Sequence, residues 1–393
     1  MNSKLQPNDI RIAWLVPSVK AGAYFGPIIR ECNRIFKETI FYTGQVWPSF
    51  SLEDPGAHQV RVVGDTKFIE SVKVESGYSQ GFIMASPAIT LDLVKYRPDV
   101  IIASAFSLWT LIALLLKPLY RWKVIVVYDG FSPNTSYKAA GLRSIVRSGM
   151  GKAIDAFIAN NHGAENYLTK TLKLPSEKVL CYPYLTSDIQ SLKGKSAQIE
   201  TAQPLKKPIF SYIGRLIERK GIKALFSACA LLEQRGYRNY SLLVIGEGNQ
   251  QAELEAFAHQ AGLSVQIVWT GWVEYQQLGD YLQLADVFVF PTYEDVWGMV
   301  VLEAMAFGKP VLCSKWAGAM EMIEPGVNGY LFDPHQPEAL AEQMEYCIKH
   351  SEIIAEAGMN AQKTVAAYSP KATAQTIANL AVTLLTSKVQ RIQ

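Results

Sequence analysis

The sequence predicts an α/β protein built as two domains, each on a mainly parallel sheet. Three observations predict it. Short apolar runs recur along the chain with helical patterns between them, the alternation that winds a parallel sheet. A polar stretch near the middle, SLKGKSAQIETAQPLKK, is poor in apolar residues and reads as a linker. The length of 393 residues, with 49% hydrophobic and 19% charged, suits two globular cores and excludes a disordered chain. The expected division is a first domain at 1–190, a linker at 191–207, a second domain at 208–370 and a C-terminal helix at 371–393.

The first domain opens on a buried strand at 10–16. A glycine-containing loop follows, then a helix with apolar positions Ile28, Ile29, Cys32, Ile35 and Phe36. Strand, glycines and helix start form the order of a phosphate cradle. Gly22 and Gly26 do not spell GxGxxG, so this is no dinucleotide fingerprint. Further strands are expected at 40–46, 60–64, 100–103, 124–128, 156–159 and 179–182. The run 100–116, VIIASAFSLWTLIALLL, approaches the length of a spanning helix, but Ser104, Ser107 and Thr110 interrupt it. It reads as a buried strand, a turn and a buried helix. Strand 124–128 runs into Asp129-Gly130, either a turn aspartate ahead of a glycine or a reactive carboxylate. Asn160, Asn161 and His162 follow strand 156–159, and a lone loop histidine is more often structural than catalytic.

The second domain opens with strand 209–213, which runs into Gly214-Arg215, with a helix starting near Gly221. Arg215 and Lys220 lie at a strand end and a helix start, where a diphosphate needs cations and N–H groups. Segment 241–250, SLLVIGEGNQ, is a strand and a turn, and Gly271-Trp272-Val273 is a second turn. Trp272 fits either a ligand contact or a core position.

The stretch 286–314, DVFVFPTYEDVWGMVVLEAMAFGKPVLCS, carries the chemistry. It reads as strand 287–290, a polar loop, a helix at 298–307 with Gly308 as its C′ residue, and strand 310–313. Ligands of parallel sheets sit at the carboxyl ends of strands. Glu294 and Asp295 lie in the loop and Glu303 interrupts the apolar helix VVLEAMA. A buried acid there needs a hydrogen-bonding partner, and sugar hydroxyls would serve. The helix start would hold a phosphate.

DVWGMVVLEAMAFGKPV resembles the signature of the retaining, nucleotide-sugar-dependent glycosyltransferases of the GT-B fold, group 1. Two acids, usually both Glu, bracket that signature in the family. Glu303 matches the second and Asp295 fills the first slot on a shorter arm. GRLIERKG is similar to the family's Gly-Arg-Leu…Lys-Gly motif, in which the cations hold the donor's phosphates; the spacing favours Lys220 over Arg219. Gly246-Glu247-Gly248 matches the strand-end loop near the nucleotide, and Trp272 and Val273 fall where relatives meet the nucleobase. Gly22 falls in the loop that approaches the donor diphosphate, without the usual glycine pair. Asp129 stands where relatives often carry a His against the transferred sugar. GVNGYLFDPHQPEALAEQMEYCI resembles the family's closing hairpin and helix, and SPKATAQTIANLAVTLLTSKV the helix that returns to the first domain.

The resemblance implies two Rossmann-like domains facing across a cleft. It implies transfer of a sugar from a nucleoside-diphosphate sugar to an acceptor. Arg215 and Lys220 would neutralise the diphosphate, with backbone N–H groups of Trp297, Gly298, Met299 and Val300 beside them. Asp295 would orient the sugar and Glu303 would bind the ribose, with Gly214 and Glu247 lining the donor site. Cations on the phosphates and no spaced acidic pair imply that neither a metal nor a cofactor is required. A nucleotide-sugar epimerase or a non-catalytic sugar-nucleotide binder is the alternative.

Charge points to the acceptor side. Residues 1–193 carry 22 Lys+Arg and 15 Asp+Glu, a balance of +7, while the rest has 16 and 20, or −4. A basic first half with aromatic loops (Tyr24, Phe25, Phe131, Tyr137) suits a lipid-linked or surface-polysaccharide acceptor, or is chance on a solvated face. Dispersed cations and no recognition motif argue against nucleic acid. Five scattered cysteines without a CxxC pair suggest neither zinc nor disulfides and fit a reducing compartment. The start MNSKLQPNDI lacks an apolar signal region, so the expected location is cytoplasmic, peripheral on the inner face of the membrane.

Overall fold

The computed structural model describes residues 5–17, 22–46, 59–72, 80–133, 142–187, 189–192, 204–263 and 267–387. Much of the expected linker and Tyr137 lie outside the described residues. The chain divides into two compact units. The first comprises 1–130, 136–186 and 368–393; the second comprises 131–135 and 187–367.

The first unit runs β1 (Arg11–Val16), α1 (Gly22–Ile35), β2 (Glu38–Thr43), β3 (Val60–Val62), β4 (Lys67–Val72), β5 (Gln80–Met84), α2 (Ile89–Tyr96), β6 (Val100–Ser104), α3 (Leu108–Tyr120), β7 (Lys123–Tyr128), α4 (Leu142–Ala153), β8 (Ala156–Ala159), α5 (His162–Asn166) and β9 (Val179–Cys181). Its parallel sheet has the order β3-β2-β1-β6-β7-β8-β9, and β4 and β5 form a separate antiparallel pair. Central strands are covered on both faces, which is why they read as unbroken apolar runs: Ile12 to Val16 are all fully buried. Segment 100–116 is strand β6 and the start of α3. Ser107 caps α3, its hydroxyl accepting from the Thr110 N–H at 3.2 Å. Among the described residues no helix is long and apolar enough to cross a membrane.

The second unit runs α6 (Ile189–Leu192), β10 (Ile209–Ile213), α7 (Ile222–Gln234), β11 (Ser241–Ile245), α8 (Gln251–Gln260), β12 (Ile267–Gly271), α9 (Leu278–Leu284), β13 (Val287–Phe290), α10 (Met299–Ala306), β14 (Val311–Ser314), β15 (Gly329–Phe332), α11 (Pro337–Lys349) and α12 (Glu352–Ala366). Its sheet has the order β12-β11-β10-β13-β14-β15 and every pairing is parallel. The last helix, α13 (Pro370–Thr386), belongs to the first unit and packs on α1.

One local device recurs. An aspartate directly before a strand accepts a hydrogen bond from the first or second N–H of the neighbouring strand. Asp99 takes that of Arg11, Asp155 that of Val124 and Asp286 that of Ile209, each at 2.8 Å. Parallel strand starts leave such N–H groups unpaired, and the carboxylate satisfies them while fixing register.

Several expectations are corrected: Tyr24 and Phe25, expected in a loop, lie in α1 with Phe25 buried, and β3 ends at Val62 instead of residue 64. The second strand ends at Thr43 instead of residue 46. The 67–84 antiparallel pair was not expected. The segment matched to a closing hairpin is β15, a parallel strand on β14, because its pairing from Val311↔Gly329 to Ser314↔Phe332 runs in one direction.

Candidate active site

The carboxyl ends of β10 to β13 bring most of the predicted residues to one edge of the second unit. The chain leaves β10 toward β11 on one side, and β13 lies on the other, so the loops after β10 and β13 flank a topological switch point.

The loop after β10 holds Gly214, Arg215 and Lys220. Tyr212 donates its hydroxyl to the Arg215 carbonyl at 2.8 Å, fixing the turn while the Arg215 side chain is exposed. Gly221 has φ +65°, and a Cβ there would stand 1.9 Å from the Pro291 carbonyl oxygen. Glycine therefore lets the two loops touch. Arg219 is buried and structural: its guanidinium donates to the Glu294 carbonyl at 2.7 Å, and its own carbonyl accepts from Tyr293 N–H and Thr292 Oγ1 at 3.0 Å each.

The loop after β13 presents Asp295. It is buried, and its carboxylate pairs with the Lys220 ammonium, with the Arg219 Nη1 at 4.0 Å. The Trp297 N–H donates to Asp295 Oδ1 at 3.3 Å. Lys220 also lies 5.4 Å from the Phe290 ring centroid. Gly298, at φ +99°, begins α10 without a side-chain cap. The leading N–H groups of Met299 and Val300 have no carbonyl one turn back, so the helix start is a site for negative charge.

Glu303 on α10 is buried, and its Oε1 accepts from the hydroxyls of Ser187 at 2.5 Å and Tyr275 at 2.9 Å. Burial pushes its carboxyl above the ordinary carboxylate range, against the pull of those two hydrogen bonds. Trp272 is 64% exposed, which removes the core reading. With exposed Tyr275 three residues on, it offers an uncovered aromatic surface; Val273 is partly exposed between them. Glu247 is exposed in a turn closed by Leu216 N–H on its carbonyl at 2.9 Å.

Sequence reasoning missed Ser187 and Tyr275. The hydroxyl demand of a buried Glu303 was the signal available, but it names no donor.

Gly22 and Asp129 belong to the first unit, Gly22 as the first residue of α1. Asp129 follows β7 and accepts a short hydrogen bond from the Tyr184 hydroxyl. Burial raises its pKa, with that hydrogen bond acting the other way. Asn160 is buried, its Oδ1 accepting from Tyr184 N–H at 3.0 Å and Leu185 N–H at 2.9 Å. Asn161 caps α5 by accepting from Ala164 N–H at 2.7 Å. These two asparagines are thus structural.

Residues 195–364 match the family model of glycosyl transferases group 1. The chain is 26% identical over 222 residues to the alpha-D-kanosaminyltransferase of Streptomyces kanamyceticus, covering 55% of this chain and 57% of that one. It is 29% identical over 152 residues to the lipopolysaccharide core biosynthesis glycosyltransferase LpsE of Rhizobium meliloti, covering 39% and 42%. The alignments therefore span less than two thirds of either relative. The structure of Anabaena Alr3699/HepE in complex with UDP superposes with a TM-score of 0.73 at 18% identity, covering 94% of this chain and 99% of that one. The fold is GT-B, and residues 195–364, less than half of the chain, are similar to the glycosyl transferases group 1.

Proposed function

We propose that the protein is a retaining glycosyltransferase that moves a sugar from a nucleoside-diphosphate sugar to a glycan acceptor, without a metal at the diphosphate. The observation that carries this reading is the joining of Lys220, Asp295 and the uncapped start of α10 at one sheet edge, beside exposed Arg215. Lys220 and Asp295 satisfy each other. A donor offers each a substitute, with phosphate oxygens for Lys220 and sugar hydroxyls for Asp295. Lys220, Arg215 and the Met299 and Val300 N–H groups then stabilise the charge that develops on the leaving diphosphate. Glu303, held by Ser187 and Tyr275, accepts from the ribose, and Trp272 with Val273 meets the base. Structures of similar fold were solved with UDP and with UDP-glucose, which supports a uridine donor as the first to try.

A lipid-linked or surface-polysaccharide acceptor and a peripheral membrane contact complete the reading. They are supported by the basic first half and by exposed Leu115 and Leu119 on α3. Relatives include a lipopolysaccharide core enzyme.

Thermal unfolding with UDP-, GDP- and ADP-sugars tests the donor assignment, since a ligand at 100 times its Kd stabilises by about 2.7 kcal/mol. Stabilisation by one class, lost in Arg215→Ala and Lys220→Ala, is expected. Undiminished turnover in both variants would overturn it. Conversion of the donor to an isomer without acceptor would favour an epimerase instead.

A further inference from the structure

The first unit carries a cluster that the donor chemistry does not use. We propose that His162, Glu165 and Cys181 form a binding site for one divalent transition-metal ion of the zinc class. Their ligand atoms all lie within 4.8 Å of one another. His162 Nδ1 is 2.8 Å from Glu165 Oε2 and 3.5 Å from Cys181 Sγ.

The N–S distance fits a shared ion, and the third pair, Glu165 with Cys181, lies within 4.8 Å. Zinc bonds of about 2.0 Å to nitrogen and about 2.3 Å to sulfur, at a tetrahedral angle, place N and S about 3.5 Å apart. The N and O atoms need to part by about 0.6 Å from their present contact to reach the matching separation. The donors converge because of the local fold. His162 and Glu165 are three residues apart in the first turn of α5, so they share a face. Cys181 ends β9, the edge strand, where it pairs in register with Ala159. The Asn161 cap holds the start of α5, and Asn160 holds the segment that follows β9. Cys181 is also the one cysteine of five that is not buried; burial pushes the thiols of Cys229 and Cys347 up to about 12.

The donor set selects the ion. A thiolate with an imidazole favours zinc, cobalt or copper over calcium or magnesium. On binding, the Cys181 thiol releases its proton to solvent, Glu165 binds as carboxylate, and His162 keeps its proton on Nε2 and offers Nδ1. No electron moves. Three protein ligands leave a fourth position for water. The ion would tie the start of α5 to the end of β9, and it is distinct from the phosphate-binding residues, which belong to the second unit.

The reduced, chelator-stripped protein should be titrated with Co(II) and then Zn(II). One equivalent of Co(II) is expected to give a thiolate-to-cobalt charge-transfer band that Zn(II) abolishes. Cys181→Ser should lose the band, and His162→Ala should weaken Zn(II) binding by more than about tenfold, the least that even outer-sphere partners cost. Zn(II) should also slow alkylation of Cys181 in the unaltered chain, mapped by mass spectrometry, which needs no variant to fold. A protein with no thiolate band, or with Cys181 alkylation indifferent to Zn(II), would overturn the proposal.

Discussion

At the scale of single residues, the buried charges of the second unit decide what can be tested. Lys220 and Asp295 are each mostly buried, 18% and 9% exposed at the side chain, so neither is well solvated without the other. Lys220→Ala should therefore lower stability as well as turnover. Loss of one member of a buried pair costs 3–5 kcal/mol in general; Arg219, 4.0 Å from the same carboxylate, should hold the loss to about 2 kcal/mol. Adding Asp295→Asn should recover most of that stability in urea titrations without restoring turnover, which separates the ion pair's structural role from the catalytic role proposed for it. Glu303 behaves differently. Its raised pKa means that the folded state holds the proton more tightly than the unfolded chain does. Its favourable contribution is complete below the unfolded-state pKa and is lost as pH rises through the folded-state value. Glu303→Gln should thus raise the melting temperature near neutral pH, with the gain vanishing in acid. It should also weaken donor binding about tenfold or more through the lost charged acceptor. Equal melting temperatures at neutral pH would contradict the burial account. Glu303 was legible in the sequence because an acid inside VVLEAMA is costly, and Asp295 through the resemblance. Their partners were not: Ser187 lies 116 residues from Glu303, and only the tertiary fold brings them together.

Among the secondary-structure elements, the legible ones were those buried on both faces, such as β1, β6, β7 and β13, whose apolar runs need no alternation to be recognised. The β4–β5 pair escaped because the residues on it whose burial is described print no buried face: Phe68 and Met84 are exposed. The direction of β15 escaped because GVNGYLF fits a turn and a strand equally well, and only pairing with β14 decides it. The aspartates ahead of β6, β8 and β13 also passed unread, since each looks like an ordinary loop residue. Asp286→Ala would leave the Ile209 N–H without its acceptor, so a loss of about 1–3 kcal/mol is expected by denaturant unfolding. The loop contact after β10 makes a sharper test. Gly221→Ala meets both an unfavourable φ and the Pro291 carbonyl, whereas Gly236→Ala, at φ +84°, has nothing within 4 Å. The second should cost about 1 kcal/mol, the conformational penalty alone. The first should cost more and should loosen Lys220, which a weaker donor-induced thermal shift would register.

Over the whole molecule, charge is divided in the same way as the chain: +7 up to residue 193 and −4 beyond it. Within the first unit the positive side has an apolar partner. Leu115 and Leu119 on α3, 68% and 76% exposed, lie one turn apart on a single face, and α4, which contacts α3, exposes Ile145. The described residues of α3 and α4 include Arg143, Arg147 and Lys152 and no acid; Lys117 on α3 is already paired with Asp155 at 2.6 Å. Leucines at this exposure stay in water at a cost of about 25 cal/mol per Å² of apolar surface, which a bilayer interface removes. Each nearby cation adds about 1 kcal/mol of attraction to an anionic leaflet. Vesicles containing phosphatidylserine should therefore retain the protein in flotation assays at low salt and release much of it as added salt shortens the screening length. Leu115→Asp with Leu119→Asp should reduce retention further by removing the apolar contribution and adding repulsion. Both positions are solvent-facing, so the fold should persist, and the donor-induced thermal shift, which reports on the donor site proposed in the second unit, should be unchanged. Retention that ignores both salt and the two leucines would show that this face is not what meets the membrane.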